Sequence, residues 1–299
     1  QTCALPISLN NIAAVGLDRL PRDNYEIASE IQHPDAILLR SYKMHDMEIP
    51  ETLKAVGRAG AGVNNIPVVK MTERGIPVFN APGANANAVK ELVISSMLMA
   101  SRNIAQAWNY AKNLEGDDSS IAKDVEAGKK KYVGFELPGR TLGVIGLGAI
   151  GVEIANAAIS LGMKVVGYDP TVTIQSAWKL SADAVRAHSV DELLAKADFV
   201  TFHVPLIDAT KNMINEERLV NMKDGVVIMN FARGGIVDDS AVLKALDSGK
   251  VYAYINDFPT NENKDHPRVV CLPHLGASTA EAEDNCAIMV ADEVKDYLE

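Results

Sequence analysis

Short apolar segments alternate with amphipathic stretches along most of this chain. In the first third, residues 35–41 and 75–80 have the composition of buried strands, and residues 51–60 between them are expected to be helical. Residues 87–114 then carry apolar side chains at helical spacing over a length that predicts one long helix. This alternation is typical of a parallel sheet covered by helices.

A second series of strands begins at Leu142, after polar and glycine-bearing stretches that indicate a connection. Residues 277–297 close the chain with another long amphipathic helix. A chain of 299 residues is long enough for two domains with separate cores. The second series predicts a doubly wound sheet, with strands at LGVIG, KVVGYD, DFVTFHVP, GVVIMN, VYAYIND and RVVCLP.

Composition excludes several classes of protein. The chain has 29 Lys and Arg against 39 Asp and Glu, a net charge of −10 that does not suit a nucleic-acid or anionic-membrane surface. Cys3, Cys271 and Cys286 are scattered and odd in number, so we expect no disulfide framework, no metal site and a reducing, cytoplasmic setting. No window approaches the roughly 18 apolar residues of a membrane span.

The most informative motif lies between Leu142 and Pro170. Gly146, Gly148 and Gly151 fit G-x-G-x-x-G between a strand and a helix, a spacing that permits a tight turn, close approach of a pyrophosphate and close packing of helix on strand. An acidic residue ends the next strand, where it can bind ribose hydroxyls and repel a 2′-phosphate, which favours NAD over NADP. The cofactor residues expected here are Gly146, Gly148, Ala149, Ile150, Gly151, Tyr168, Asp169 and Pro170.

Three later segments, at residues 203–205, 230–235 and 273–279, also end strands of the second sheet. Strand ends of a doubly wound sheet face the ligand crevice, so Arg233 and His274 are candidates for chemistry there. A guanidinium can grip a carboxylate, and an imidazole can exchange a hydroxyl proton near neutral pH. Together they predict oxidation of a hydroxy acid by hydride transfer.

Five motifs in the same order carry a family resemblance: VIGLGAIG with YDP, HVPLIDATKNMI, ARGGIVDD, INDFPTNE and LPHLGAST. The chain resembles the D-isomer-specific 2-hydroxyacid dehydrogenases, most closely the D-3-phosphoglycerate dehydrogenases of serine biosynthesis. The resemblance implies a Rossmann-type NAD domain at residues 87–276, inserted into a flavodoxin-like substrate domain made of residues 1–86 and 277–299. It adds His203, Val204, Pro205, Thr210, Phe231, Ala232, Asp257 and Gly276 to the cofactor contacts.

The family active site combines an arginine, a glutamate and a histidine, and the glutamate is where this sequence departs from the pattern. Many relatives read D-V-F-x-x-E-P, whereas this chain reads NDFPTNEN. Matching on Phe258 puts Asn261 at the glutamate position, whereas matching on the Asp-to-Glu spacing pairs Asp257 with Glu262. We favour Glu262, because a carboxylate would support and orient the imidazolium of His274. Asp257 would then match the aspartate that binds the nicotinamide carboxamide.

The resemblance also assigns a substrate clamp to the N-terminal domain. The substrate phosphate would be bound by Arg40, Ser41 and Arg58, and the substrate carboxylate by the amides of Ala61 and Gly62. Asn85 falls at another substrate-side position. Two arginines in an acidic protein suit a phosphorylated acid better than lactate.

The expected activity is NAD-dependent oxidation of D-3-phosphoglycerate to 3-phosphohydroxypyruvate. One alternative is a glyoxylate or hydroxypyruvate reductase, or another D-2-hydroxyacid dehydrogenase, on the same scaffold. Another is an NADH-sensing binding protein with little turnover, similar to corepressors of this fold. The resemblance further implies a homodimer formed through the NAD domain. Many of the resembled phosphoglycerate dehydrogenases continue into a serine-binding regulatory domain, so this chain is either a short form or one from which that domain has been removed, and we expect no inhibition by serine.

Overall fold

The structure, a computed structural model, describes residues 4–9 and 12–299, so Cys3 lies outside the described residues. The chain divides into two compact units, one of Gln1–Ala88 with Ala277–Glu299 and one of Val89–Gly276. Each unit is built on a parallel sheet flanked by helices, and the α/β fold class predicted from the alternating pattern is confirmed.

The sheet of the first unit runs in the order β1-β2-β3-β4 among the described residues, and every neighbouring pair is parallel. Tyr25 and Ala28 form parallel bridges to Ala4 and Ile7, so residues 25–28 lie along the free edge of β1. With that segment counted as a strand, the order is the 2-1-3-4-5 of flavodoxin-like sheets. The strands are β1 (Pro6–Leu9), β2 (Ala36–Leu39), β3 (Ala55–Arg58) and β4 (Val78–Asn80).

The helix expected at residues 51–60 is wrong, because this stretch contains β3. Its central residues are fully enclosed, and a Cβ on Gly57 would lie 2.8 Å from side-chain atoms of Leu38, Val290 and Val294. Burial on both faces produces a short apolar run without strict alternation, which periodicity cannot distinguish from a helix. The helices packed around this sheet are α1 (Ala14–Leu17), α2 (Val68–Glu73) and α11 (Ala280–Leu298).

The sheet of the second unit has the order β11-β10-β9-β8-β5-β6-β7 in the described residues, again with all neighbours parallel. Counted from β5, this is the 3-2-1-4-5-6 order of the Rossmann fold with one strand added. The two-residue β7 is exposed and was not predicted. The strands are β5 (Thr141–Ile145), β6 (Lys164–Tyr168), β7 (Val185–Arg186), β8 (Phe199–Phe202), β9 (Val226–Asn230), β10 (Val251–Asn256) and β11 (Val269–Cys271).

The single long helix expected at residues 87–114 is also wrong. The Ser101 carbonyl accepts a hydrogen bond from the Phe135 amide at 2.8 Å, and Asn103 adopts a left-handed conformation with φ of 51°. Asparagine tolerates this conformation, and here its Oδ1 also accepts from the Tyr252 hydroxyl at 2.8 Å. The helix therefore ends and a new one begins, giving α3 (Ala86–Ser101) and α4 (Ile104–Lys112).

The remaining helices belong to the second unit. Part of the expected connection at residues 115–140 is helical, because Asp117 caps a helix by accepting from the Ser120 amide at 2.8 Å. These helices are α5 (Asp118–Gly128), a 3-10 turn (Lys129–Tyr132), α6 (Ala149–Ser160), α7 (Ile174–Lys179), α8 (Val190–Lys196), α9 (Glu216–Asn221) and α10 (Asp239–Asp247).

Alternate residues of the central strands enter two different cores. In β9, Val226 and Ile228 pack in one core, whereas Val227 and Met229 pack in the other, on the opposite face of the sheet. Burial on both faces explains why these strands are continuously apolar. Within residues 4–9 and 12–299, none of the helices has the length and apolarity needed to cross a membrane.

Candidate functional site

The turn between β5 and α6 has the geometry that its three glycines predict. Gly146 has φ of 93°, and a Cβ there would lie 2.4 Å from the carbonyl oxygen of His203. A Cβ on Gly151 would lie 1.9 Å from the carbonyl oxygen of Gly146, whereas a Cβ on Gly148 would meet no atom of the described residues within 4 Å. Two glycines are therefore required by the fold, and the third leaves open backbone at the surface.

Open backbone at the start of α6 is suited to an anion. Gly148 is the N-cap residue, and none of the described side chains caps the helix. Its first amides therefore remain available, with the positive end of the helix dipole behind them. Ala149 and Ile150 form the first turn, which is accessible from solvent. This is the arrangement that binds the pyrophosphate of a dinucleotide in this type of fold.

Asp169 lies directly after β6, beside the glycine turn. Its Oδ2 accepts from the Leu147 amide and its Oδ1 from the Thr171 amide, each at 2.8 Å. The carboxylate is thereby fixed in orientation while its remaining lone pairs can accept from ribose hydroxyls. Tyr168 is partly exposed and Pro170 exposed on either side of it.

The end of β8 adjoins the glycine turn. The His203 amide donates to the Ile145 carbonyl at 2.7 Å, and its ring Nε2 lies 2.9 Å from the Thr201 hydroxyl. Although part of the residue is exposed, burial lowers the pKa of the His203 ring to about 3, so the ring is neutral at ordinary pH. Thr210 is buried, and its hydroxyl donates to the Pro205 carbonyl at 2.6 Å, which shapes the turn after Val204.

The loop that carries Arg233 is fastened by the last residue of β9. Asn230 Nδ2 donates to the Arg233 carbonyl at 2.9 Å, and Asn230 Oδ1 accepts from the Ala232 amide at 3.2 Å. The Arg233 side chain is partly exposed and donates to the Ala232 carbonyl at 2.6 Å. The guanidinium therefore sits at the strand end with donors left for a carboxylate.

Asp257 follows β10 and is only 2% exposed. Its Oδ2 accepts from the Gly276 amide at 2.8 Å, and its Oδ1 is buried with no hydrogen-bond partner among the described residues. Burial raises the pKa of this carboxyl group, and bonds from the Leu275 and Gly276 amides partly offset that effect. A Cβ on Gly276 would lie 3.3 Å from Asp257 Oδ2 and 4.0 Å from the Phe231 carbonyl, so these three expected cofactor residues are neighbours.

His274 lies beyond β11 and has a left-handed backbone with φ of 57°. Its exposed ring meets the Phe258 ring edge to face, with 5.3 Å between centroids. On the Arg233 loop, a Cβ on Gly234 would lie 3.6 Å from Phe258 Cβ. Phe258 therefore contacts both of the segments that carry the catalytic candidates.

The two candidates for the family glutamate position are both exposed. Among the residues the structure describes, the carboxylate of Glu262 makes no hydrogen bond or ion pair with His274. Asn263, the next residue, is instead fully buried. Its burial turns this part of the segment toward the interior and leaves Glu262 at the surface.

Sequence analysis missed a row of polar side chains under these loops. Asn230, Asn256 and Cys271 end three adjacent strands and are paired in register. Asn256 Nδ2 contacts Cys271 Sγ at 3.6 Å, and Cys271 Sγ donates to Asn263 Oδ1 at 3.2 Å. Burial raises the pKa of the Cys271 thiol, which agrees with the expectation of an unreactive cysteine. The signal for this row in the sequence is the polar residue that ends each of the three apolar strands.

In the first unit, the two substrate arginines are joined at the ends of adjacent strands. Arg58 Nε donates to the Arg40 carbonyl at 3.1 Å, and Arg58 Nη1 lies 1.9 Å from where a Cβ on Gly60 would be. The Arg40 guanidinium forms a 2.7 Å ion pair with Glu283 of α11. Asn65, which sequence analysis missed, holds the backbone here by donating to the Arg40 carbonyl at 3.2 Å.

The loop after Arg58 presents free backbone donors. No hydrogen bond from the amides of Ala61 and Gly62 is found among the described residues, and Asn80 holds the loop by donating to the Ala61 carbonyl at 2.5 Å. Asn85 Oδ1 is buried without a partner in this part of the structure, and Ser41 is exposed. In the described ranges, no three His, Cys, Asp or Glu residues are grouped as metal ligands.

The strand order, the open glycine turn and the fixed aspartate together define a dinucleotide-binding α/β protein. A sequence model of the family described as "D-isomer specific 2-hydroxyacid dehydrogenase, NAD binding domain" matches residues 94–276. The chain belongs to the D-isomer-specific 2-hydroxyacid dehydrogenase family. This match confirms the predicted NAD-binding domain and agrees with a small hydroxy acid as substrate class.

This chain spans different shares of the length of its individual relatives. A D-3-phosphoglycerate dehydrogenase of Methanocaldococcus jannaschii is 39% identical over 91% of this chain, which spans 51% of that protein. A hydroxypyruvate reductase of Thermotoga maritima is 39% identical over 90% of this chain, which spans 86% of that protein. The structure of a glyoxylate reductase from Paecilomyes thermophila superposes with a TM-score of 0.80 at 26% identity, covering 100% of this chain and 96% of that one. The chain thus spans about half the length of the phosphoglycerate dehydrogenases it matches.

Proposed function

We propose that this chain oxidises D-3-phosphoglycerate to 3-phosphohydroxypyruvate with NAD, the first step of serine biosynthesis. The observation that carries the proposal is the pair Arg40 and Arg58, whose strand ends are joined by a hydrogen bond in a protein of net charge −10. Two arginines at adjacent strand ends, followed by the amides of Ala61 and Gly62 that are free among the described residues, suit a substrate with both a phosphate and a carboxylate. The phosphate would replace Glu283 as the partner of the Arg40 guanidinium. Relatives named D-3-phosphoglycerate dehydrogenase add support.

The residues of the second unit fit NAD. The open backbone at Gly148 and the uncapped start of α6 would hold the pyrophosphate, and Asp169 the adenosine ribose. The buried Oδ1 of Asp257 lacks a partner among the described residues and would accept from the nicotinamide carboxamide. When bound, NAD supplies the acceptor for the hydride that leaves the substrate carbon.

The catalytic roles follow from the chemistry of the side chains. Arg233 would bind the substrate carboxylate and polarise the oxygen at the reacting carbon. His274 would take the hydroxyl proton as general base, and its exposed ring gives that proton a route to solvent. Glu262 would stabilise the protonated ring after a movement of its segment, since its carboxylate is not bonded to His274 in this structure.

Hydroxypyruvate reduction is the second candidate function. The observation that favours it is the similarity to the Thermotoga maritima hydroxypyruvate reductase. That protein is 39% identical to this chain, and this chain spans 86% of its length. A reductase of this type binds a non-phosphorylated acid through one carboxylate. Arg40 and Arg58 would then contribute little to its turnover.

An NADH-sensing protein with little turnover is the third candidate. The unpaired arrangement of Glu262 and His274 favours it, because a histidine without a carboxylate partner is a weaker base. Such a protein would bind NADH through the same glycine turn and respond by changing its assembly.

The experiment is an initial-rate assay of NADH formation with D-3-phosphoglycerate, D-glycerate and D-lactate, for the parent and Arg58→Ala. Turnover confined to the phosphorylated acid, with at least a tenfold rise in KM for the variant, supports the proposal. Equal turnover of D-glycerate, unaffected by the substitution, supports the reductase. NADH binding without turnover of any acid supports the sensor.

We also propose a homodimer formed through the second unit and a cytoplasmic setting. The exposed Trp108 and Ile104 of α4 are the apolar residues offered to a second copy. Free Cys271 and Cys286 are compatible with a reducing compartment. Light scattering of the parent and Trp108→Glu tests the dimer, which the substitution should convert to monomer.

A further inference from the structure

Asn263 is fully buried, yet both polar atoms of its side chain are used. Its Oδ1 accepts from the Thr260 amide at 2.9 Å and from Cys271 Sγ at 3.2 Å. Its Nδ2 donates to Asp239 Oδ2 at 2.9 Å and lies 3.4 Å from the Phe258 carbonyl. One side chain thereby connects the segment after β10, the end of β11 and the start of α10.

Phe258 is held at both ends of its backbone by this cluster. Its amide donates to Asn256 Oδ1 at 2.8 Å, and its carbonyl faces Asn263 Nδ2. The Phe258 ring in turn contacts the His274 ring and the backbone at Gly234. The polar cluster is thus linked through Phe258 to the His274 ring and to the loop that carries Arg233.

The remaining partners make the cluster rigid. Asp239 Oδ2 also accepts from the Thr260 hydroxyl at 3.4 Å, and the Thr260 hydroxyl accepts from the Asn263 amide at 3.2 Å. The hydrogen bonds of a buried side chain such as Asn263 fix the position of the segments attached to it, and leaving one of its polar atoms without a partner is costly.

We propose that Asn263 is a positioning residue that, through Phe258, sets the placement of the His274 ring relative to the Arg233 loop. The inference rests on the proposed hydroxy-acid dehydrogenase function. A shift of the base by about 1 Å can cost up to about a hundredfold in rate, so the effect belongs in kcat and not in cofactor binding.

The test replaces Asn263 with aspartate, which keeps the shape but removes the donor and sets a second carboxylate against Asp239. We expect kcat for the parent's preferred hydroxy acid to fall about 10- to 100-fold, while the KM for that acid and the Kd of NADH change less than about threefold. The pH profile of kcat should also shift for Asn263→Asp. The exposed Asn221 of α9 provides the control, and Asn221→Ala should retain the parent's kcat.

The second variant exchanges the amide and the carboxylate of the Asn263–Asp239 pair. Asn263→Asp combined with Asp239→Asn restores a donor opposite an acceptor, so kcat should recover to within about fivefold of the parent. Phe258→Leu leaves the buried network intact and should reproduce the loss in kcat, which tests the same path if the Asn263 variants do not fold. Unchanged kcat in both Asn263→Asp and Phe258→Leu, with an active parent, overturns this inference alone. A parent that turns over no hydroxy acid overturns the proposed function and this inference with it.

Discussion

The turn after β5 and the segment after β10 both follow buried strands of one sheet, but they hold their shapes by different means. The first depends on the absence of side chains, because a Cβ at Gly146 or Gly151 would collide with backbone. The second depends on hydrogen bonds to distant residues, in which the side chains of Asn256 and Asn263 donate and the Asp257 carboxylate accepts. A turn that requires glycine can be identified from the sequence, whereas a network of side-chain hydrogen bonds becomes visible only in the structure.

The difference extends to electrostatics. The glycine turn keeps the amides of α6 open to solvent and therefore attracts an anion without any charged side chain. The segment after β10 buries a carboxyl group at Asp257, and that burial raises its pKa. The first region is thus suited to charge on the ligand, and the second to a neutral, hydrogen-bonding group such as an amide.

The largest expected effect is a loss of stability on substitution of Gly151, whose surroundings in the turn differ from those of Gly148. Gly151→Ala places a methyl group 1.9 Å from the Gly146 carbonyl oxygen, a backbone atom that cannot move aside. We expect it to lower the free energy of unfolding by about 3 kcal/mol. Urea unfolding followed by circular dichroism measures this loss.

Gly148→Ala is the matched control for stability. A Cβ there meets nothing within 4 Å, so the free energy of unfolding should stay within about 0.5 kcal/mol of the parent. The new methyl group should nevertheless lower the affinity for NADH at least tenfold, as measured by fluorescence titration. Equal NADH affinity in Gly148→Ala and parent would contradict the proposed site of the pyrophosphate.

The next effect concerns the segment after β10. If Glu262 supports the imidazolium, Glu262→Gln should lower kcat about 10- to 100-fold, because the protonated base loses its counter-charge. Asn261→Ala, in the adjacent exposed position, should retain kcat within about twofold. Steady-state kinetics with the preferred hydroxy acid measures both. Loss of activity in Asn261→Ala alone would favour the alignment on Phe258.

The sequence predicts the fold class and the glycine turn because both depend on local patterns. Apolar strands, amphipathic helices and glycine spacing are read within a few residues, so the NAD-binding domain could be identified before any contact was seen. The break after Ser101 could not, because the Asn103 side chain is fixed by Tyr252, which lies 149 residues away along the chain.

The same limit applies to the candidate site. Arg233 and His274 stand at strand ends, where the topology of a doubly wound sheet makes them visible from the sequence. The buried position of Asn263 depends on Asp239, 24 residues earlier, and on Cys271 of the next strand. Sequence spacing in NDFPTNEN therefore left the choice between Asn261 and Glu262 open, and the fold adds that, in the part of the chain that the structure describes, neither side chain is bonded to His274.

The smallest expected effect concerns His203, whose carbonyl borders Gly146. Burial lowers the pKa of its ring to about 3 from the usual 6.5, so the unfolded chain binds a proton at pH values where the folded chain does not. The free energy of unfolding therefore falls as the pH drops below about 6.5, and this group should remove about 1 kcal/mol between about pH 7.5 and about pH 5.5.

His203→Gln should remove that component, so the variant should lose about 1 kcal/mol less stability than the parent over the same pH interval, as measured by urea unfolding at both values. His188→Gln, which alters an exposed histidine of the same unit, is the control and should follow the parent. An equal loss in His203→Gln and parent would mean that burial does not lower the pKa of the ring, so that at about pH 5.5 the glycine turn would adjoin a positive charge. That outcome would change the comparison itself, because the anion site would no longer depend on backbone alone.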